Sequence, residues 1–189
     1  FREIRKQNPD FIKLCLNESS STEITLQPLK RFDFDAAIIF SDILMLPYGL
    51  DQKVEFKKNF GPILGKLNID EISQVKEIDF IKKVQQVYKA IKNVSNHDIL
   101  KNKNTIGFVG APWTILVYMI NQQSPKKHLK KNFFEDKNLI DNILIIIEKF
   151  LKIHIKNQID NGANVIQIFD SWAGLLEDKD LPYYIYNPT

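Results

Sequence analysis

The sequence predicts an α/β fold in which parallel strands alternate with helices. Three short apolar runs, at residues 36–40, 105–109 and 164–169, are rich in β-branched residues and bounded by Gly, Ser or Asp. Such runs are typical of strands in a buried parallel sheet. The segments between them repeat apolar residues at spacings of three and four, which is typical of amphipathic helices. Strand, helix, strand, helix, strand is the order of successive βα units.

The helices are predicted in the segments that join these strands. Serine caps precede a helix over 19–32, although Pro28 leaves the position of its end open. Apolar spacing predicts a second helix over 78–94. Pro112 suits the first position of a third helix, which continues to residue 121. A long fourth helix, over 137–161, is predicted to end at a C-cap glycine, Gly162.

The whole chain, residues 1–189, is interpreted as one domain, because it contains no internal repeat and no low-complexity linker. A closed (β/α)8 barrel takes about 250 residues and eight strands, whereas this sequence offers three or four βα units. The fold is therefore either a small open sheet or the first part of a barrel. The missing initial Met and the ending at Thr189 favour the part of a barrel.

Composition narrows the class of protein. The net charge of +3 gives no support to a nucleic-acid partner. The single cysteine, Cys15, excludes an intramolecular disulfide framework and favours a reducing, cytoplasmic location. It lies in an apolar run and is predicted to be a buried helical thiol, not a nucleophile. No run reaches the roughly 18 uninterrupted apolar residues that a membrane helix needs, so no membrane partner is expected.

Polar and small residues follow all three predicted strands. The first strand leads into Ser41-Asp42, the second into residues 110–114, and the third into Asp170-Ser171-Trp172. The carboxyl ends of parallel strands meet at one edge of a sheet, where functional residues of α/β folds gather. This edge is therefore the predicted site. A structural interpretation stays open, because Asp and Ser after a strand also act as caps or turn residues.

Other site types find little support. The glycines of the second strand are too sparse for a phosphate-binding loop. The three histidines, His97, His128 and His154, lack metal-ligand spacing and cysteine companions, so no metal site is predicted. The basic run over 126–131 is predicted to be a solvated helix end, with contact to an anionic partner as the alternative. Tyr118 is interpreted either as a ligand-contacting residue or as a tyrosine that packs in the core.

Three blocks of residues carry a resemblance to a known family. They cover residues 25–44, 106–119 and 165–174, and contain the runs Phe40-Ser41-Asp42, Ala111-Pro112-Trp113-Thr114 and Asp170-Ser171-Trp172-Ala173-Gly174. In order and spacing they resemble blocks of the bacterial uroporphyrinogen decarboxylases. Residues 1–5 resemble the tail of the family's N-terminal substrate motif. The resemblance extends over essentially the whole chain.

The resemblance implies a TIM (β/α)8 barrel, of which this chain would be the first part, in a homodimer. It implies conversion of the four acetate side chains of uroporphyrinogen III to methyls, giving coproporphyrinogen III in haem biosynthesis, without a cofactor. Asp42 would hydrogen-bond the pyrrole N–H groups and stabilise a cationic intermediate. Tyr118 would lie near the reacting acetate, Ser171 would contact substrate carboxylates, and Arg5 would line the same cleft.

The sequence also departs from the family pattern. The Arg-Gln-Ala-Gly-Arg segment would lie before Phe1, and the second half of the barrel, with a substrate-contacting histidine, beyond Thr189. Lys57-Lys58-Asn59 stands where a Gly-rich stretch is usual. The 189 residues alone are therefore expected to lack a closed barrel, a complete site and activity. Their exposed sheet edge is expected to promote aggregation.

Two other functions are compatible with parts of this pattern. Corrinoid- or coenzyme M-type methyltransferases of the same superfamily share the barrel, but they depend on a zinc site late in the chain. A non-catalytic tetrapyrrole-binding relative would keep the fold without the chemistry. The presence of Asp42, Tyr118 and Ser171 together favours the decarboxylase.

Overall fold

A computed structural model describes residues 1–125, 129 and 133–188. The helices are α1 Arg2–Gln7, α2 Phe11–Cys15, α3 Glu18–Arg31, α4 Met45–Gly49, α5 Ile69–Gln74, α6 Glu77–Ser95, α7 Pro112–Asn121 and α8 Lys137–Asp160. The strands are β1 Ala36–Ile38, β2 Val54–Lys57, β3 Gly61–Leu64, β4 Asn104–Gly110 and β5 Val165–Phe169. Short 3-10 turns lie at Asp98–Leu100, Ala173–Leu175 and Asp178–Asp180, and a π turn at Pro182–Tyr186.

The main sheet has three parallel strands in the order β1-β4-β5. Each parallel strand lies next to the one that follows it in the sequence, so the strand order does not reverse. The helices α3, α6 and α8 contact this sheet. An unreversed order of three parallel strands is compatible with a barrel segment, and also with one half of a doubly wound sheet, which reverses its order only at its switch point. The parallel α/β organisation predicted from the sequence is confirmed.

The two faces of this sheet have different surroundings. Ala37, Thr105 and Val109 point towards the helices and are at most 2% exposed. On the opposite face, Ile38 is 61% exposed and Val165 is 47% exposed. The buried parallel sheet predicted from the sequence is therefore covered on one face among the described residues. Each apolar run alternates between the faces, and helices cover one of them.

Close packing between β4 and α8 explains a glycine in the central strand. A Cβ at Gly107 would lie 2.3 Å from Oε1 of Gln158, a buried residue of α8. The side-chain amide of Gln158 donates a hydrogen bond to the backbone carbonyl of Phe108, at 3.0 Å. The long helix therefore lies directly against the strand backbone.

The helix layer contains a buried polar pair. Nδ1 of His154 on α8 lies 2.8 Å from the hydroxyl of Tyr88 on α6. Phe80 and Phe150 pack beside them, with ring centroids 5.0 Å apart. Burial lowers the pKa of His154 to about 4 and raises that of Tyr88. His154 is therefore neutral at pH 7.

Strands β2 and β3 form an antiparallel hairpin that was not predicted. Its turn uses left-handed backbone at Asn59 (φ 68°) and Gly61 (φ 83°), residue types that adopt this conformation readily. The hairpin is attached to α7. Nε2 of Gln52 donates to the carbonyls of Gly65 and Met119, each at 2.9 Å, and the amide of Leu64 donates to the carbonyl of residue 122.

The predicted helices agree with the observed ones to within one residue at each end: 18–31, 77–95, 112–121 and 137–160. The first strand ends at Ile38, two residues before the predicted end. Cys15 is buried in α2, as predicted. The basic run 126–131, apart from Leu129, and His128 lie outside the described residues. Among the described helices, none has the length and apolar character needed to cross a membrane.

Candidate active site

Asp42 lies just beyond the carboxyl end of β1, in a turn whose position is set by α3. The backbone amide of Phe40 donates to the hydroxyl of Thr25 on α3, at 2.8 Å. That hydroxyl in turn donates to the carbonyl of Ser21, at 2.7 Å. The threonine is 3% exposed, so water competes little for these bonds. Helix α3 therefore fixes the strand end two residues before the carboxylate.

The carboxylate of Asp42 is largely dehydrated. Its Oδ1 accepts a hydrogen bond of 2.8 Å from the backbone amide of Leu44. Burial raises the pKa of Asp42 to about 6, and the Leu44 amide opposes part of this rise. The side chain closes an Asx-type turn. It does not cap a helix, because α4 begins at Met45 and has Leu44 as its N-cap.

Tyr118, on α7, lies at the same edge of the sheet as Asp42. Burial raises the pKa of Tyr118, and the charge of Asp42 adds to the increase. Its ring packs against Trp172, with centroids 5.9 Å apart at an interplanar angle of 65°. Tyr118 is only half-buried, unlike its neighbours Val117 and Met119, which are fully buried. The hydroxyl-bearing residue therefore lies at the edge of the core.

A hydroxyl on α7 connects the carboxyl ends of β4 and β5. Thr114 donates to Oδ1 of Asp170 at 2.6 Å and accepts from the backbone amide of Trp172 at 3.1 Å. The indole of Trp113 donates to the carbonyl of Trp172, at 2.9 Å. Burial raises the pKa of Asp170, and its Oδ2 is buried without a hydrogen-bond partner among the described residues. Thr114 was not singled out as a site residue from the sequence, although its place just after the second strand, near the start of a helix, was a usable signal.

Ser171 and Arg5, the other two predicted site residues, are carried by the turn after β5 and by α1. Ser171 is exposed and stands between Asp170 and Trp172, directly beyond β5. The guanidinium of Arg5, on α1, donates to the carbonyl of Asn8 and lies 5.5 Å from the ring centroid of Phe11. Thus the structure brings Asp42, Tyr118 and the Ser171 turn together.

The charges of Asp42 and Arg5 have opposite effects on the Cys15 thiol. Burial raises the pKa of the Cys15 thiol, with a further increase from the charge of Asp42 and an opposing effect of Arg5. No group of three or more potential metal ligands occurs within the described part of the chain.

Comparison with known sequences decides the family. The sequence model of the family described as uroporphyrinogen decarboxylase (URO-D) matches residues 1–189. The chain belongs to the uroporphyrinogen decarboxylase family. The resemblance predicted from the three blocks is therefore confirmed. The roles of Asp42, Tyr118, Ser171 and Arg5 within the family site stay predictions.

The curated uroporphyrinogen decarboxylase of Rickettsia bellii (strain RML369-C) is 39% identical over 191 residues, covering 100% of this chain and 56% of that protein. The uroporphyrinogen decarboxylase of Rickettsia rickettsii (strain Sheila Smith) is 38% identical, and the chain covers 55% of it. The chain thus spans about half the length of the curated uroporphyrinogen decarboxylases that it matches.

A solved structure extends the likeness of fold. A methyltransferase from Methanosarcina mazei matches with a TM-score of 0.77 and 14% identity, over 98% of this chain and 56% of that one. At this identity the likeness concerns the fold alone, because one fold supports many functions.

Proposed function

We propose that the protein containing this chain converts the four acetate side chains of uroporphyrinogen III to methyls, giving coproporphyrinogen III. The observation that carries the proposal is Asp42, a carboxylate that the Leu44 amide holds in the turn beyond the carboxyl end of β1, at the edge where Tyr118 packs against Trp172. The names of the curated relatives support the substrate. Arg5 and Ser171, on either side, are proposed to bind substrate carboxylates.

The chemistry needs an electron sink. Protonation of a pyrrole carbon beside the acetate makes the ring cationic, so the electron pair of the breaking C–C bond can move into the ring as CO2 leaves. A proton then adds to the former methylene carbon and gives a methyl group, while the ring proton is lost. Asp42 would accept hydrogen bonds from the pyrrole N–H groups and stabilise the cation. Its attraction is strong because water is largely excluded. No step in this scheme requires a cofactor.

The same proposal includes the architecture of the whole protein. The unreversed strand order, the helices on one face and the match to the methyltransferase structure support a closed (β/α)8 barrel. In such a barrel the exposed apolar face of the sheet would point to the interior. We further propose a cytoplasmic homodimer without a nucleic-acid or membrane partner.

The test compares the full-length protein with its Asp42→Asn variant. Each is incubated anaerobically with uroporphyrinogen III, and the oxidised products are separated by carboxylate number. The wild type is expected to produce seven-, six-, five- and four-carboxylate species in sequence. Asn has the same shape but no charge, so kcat should fall roughly 100-fold or more, as when a preorganised electrostatic group is removed.

Asp33→Asn is the matched control, since that side chain is 98% exposed and lies before the amino end of β1, at the opposite edge of the sheet from Asp42. It should react like the wild type. A folded wild-type protein that removes no carboxylate would refute the decarboxylase. Metal analysis and corrinoid titration would then separate the methyltransferase from a non-catalytic tetrapyrrole-binding protein.

A further inference from the structure

A cleft that shares Arg5 with the candidate active site lies between α1 and the turn of the β2–β3 hairpin. Its volume is about 930 Å³, within the range of roughly 300–1,000 Å³ that is usual for small-molecule sites. Basic side chains line both walls, and none of the described residues lining it is acidic. The basic residues are Arg2, Arg5 and Lys6 of α1, and Lys57 and Lys58 of the hairpin.

The hairpin turn determines where the two lysines lie. Lys57 is the last residue of β2 and pairs with Gly61 across the hairpin. Lys58 follows in the turn, which left-handed backbone at Asn59 and Gly61 closes. Both lysines are exposed. A turn at this point places two adjacent ammonium groups at the rim of the cleft.

The opposite wall holds its arginine in a fixed orientation. The bond from Arg5 to the carbonyl of Asn8 and its position over the ring of Phe11 restrict the guanidinium plane. Phe11 also contacts Phe56 of β2 and Phe40, with centroids 4.5 and 5.8 Å apart. One aromatic cluster therefore joins the hairpin, α2 and the strand end that leads to Asp42, and Arg5 of α1 lies over its Phe11 ring.

The charges of the cleft are not compensated within the described residues. None of the five basic side chains belongs to an ion pair there. Their neighbour Lys53, by contrast, pairs with Glu55 at 2.6 Å, and Lys57 only adds a weaker attraction to Glu55. Like charges converging on a cleft create a positive potential that attracts anions.

We propose that this cleft binds the peripheral carboxylates of a polycarboxylate ligand, with Lys57 and Lys58 contacting carboxylates opposite Arg5. The inference rests on the proposed function, in which the ligand is a tetrapyrrole with eight carboxylates. Each decarboxylation removes one anionic group. The cleft would therefore favour the substrate and the early intermediates over the four-carboxylate product.

The experiment measures binding separately from turnover. Full-length wild type and the Lys57→Gln/Lys58→Gln variant are titrated with uroporphyrin, an oxidised octacarboxylate that is not decarboxylated, and with coproporphyrin, which has four carboxylates. The variant should bind uroporphyrin roughly 5- to 10-fold more weakly, as for the loss of two solvent-accessible ion pairs, and coproporphyrin with a smaller change. Raising the salt concentration should weaken uroporphyrin binding by the wild type more than binding by the variant.

Lys89→Gln/Lys92→Gln is the matched control, because these exposed lysines on α6 carry the same charge change away from the cleft. It should bind within about 2-fold of the wild type, as expected for surface changes. The charge-retaining Lys57→Arg/Lys58→Arg variant should keep the wild-type affinity.

The outcomes separate this inference from the proposed function. If the Gln variant binds uroporphyrin like the wild type while the wild type decarboxylates uroporphyrinogen, the cleft proposal is overturned and the function stands. If the wild type does not decarboxylate but the Gln variant loses uroporphyrin binding, the function fails and the cleft stands. Should the Gln variant not fold, a wild-type affinity that is independent of salt would overturn the cleft proposal.

Discussion

The helix layer and the carboxyl edge of the sheet both bury ionisable side chains, but in different ways. Between α6 and α8, His154 is 4% exposed and has the Tyr88 hydroxyl as a partner. At the edge, Asp42 is half-buried and a backbone amide binds one of its oxygens. Burial shifts both pKa values towards the neutral form, to about 4 for His154 and about 6 for Asp42.

The difference shows why a shifted pKa alone does not identify a site. The Tyr88–His154 pair is enclosed, neutral at pH 7 and hydrogen-bonded, so it behaves as part of the core. Asp42 stays largely ionised at pH 7 in a place that disfavours its charge. Keeping a charge at such a cost to stability is typical of a functional group.

The largest stability effect is expected from His154. Its folded pKa of about 4 lies below its unfolded value of 6.5, so the unfolded state binds more protons between them. Stability from this group is complete above pH 6.5 and is lost as the pH falls to about 4, by up to roughly 3 kcal/mol. His154→Asn removes this loss and leaves an amide beside Tyr88. Chemical unfolding of the full-length wild type and variant from pH 7 to pH 4 measures how steeply the unfolding free energy of each depends on pH. An equally steep pH dependence in the variant and the wild type would contradict this role of His154.

Asp42 is expected to act with the opposite sign. Its folded pKa of about 6 lies above its unfolded value of 3.8, so the folded state binds more protons between them. This group therefore disfavours folding above pH 6, and the penalty disappears as the pH falls towards 3.8, again by up to roughly 3 kcal/mol. Asp42→Asn should be more stable than the wild type at pH 7 and lose that advantage at pH 4.

In the wild type, the contributions of His154 and Asp42 to the pH dependence of the unfolding free energy should nearly cancel between pH 6.5 and pH 4. In the two single variants, the unfolding free energy should change with pH in opposite directions. In the double variant His154→Asn/Asp42→Asn, it should again change little with pH. The remaining carboxylates are common to all four proteins, so their contributions drop out of the differences. A double variant as steep as either single variant would show that the two regions are not independent.

The smallest expected effect concerns the connection between β4 and β5. Thr114→Val keeps the shape but removes the hydroxyl that serves both Asp170 and the backbone of Trp172. Leaving these buried groups without a partner should cost about 1–3 kcal/mol of unfolding free energy. Thr114→Ser keeps the hydroxyl and is the control. Denaturant titration at pH 7 compares them, and equal stability of the Val and Ser variants would exclude this role.

The helices could be predicted closely because their signals are local. Pro112 opens α7, the Asp136 side chain caps α8, and Gly162 follows its end with φ 108°. The hairpin was missed because β2 and β3 are four residues each, too short for periodicity to separate them from a loop. Its Asn and Gly turn residues were visible, but the turn is recognisable only once the two short strands are known to pair.

The candidate site was predictable in outline for a different reason. Parallel strands bring their carboxyl ends together, so residues after each strand could be grouped before any distance was known. The sequence could not predict that Thr114 holds Asp170, because a contact across 56 positions depends on packing. Nor could it distinguish the two faces of the sheet, since continuous apolar runs look alike whether one face or both are covered.

The attachment of the hairpin to α7 has a consequence for local opening. Gln52 spans both elements, and the amide of Leu64 bonds to the residue that follows α7. Hydrogen exchange at this amide then requires the hairpin to separate from the helix that carries Tyr118. The hairpin and the end of α7 would thus exchange as one cooperative unit, so the wall of the basic cleft would open together with the catalytic edge.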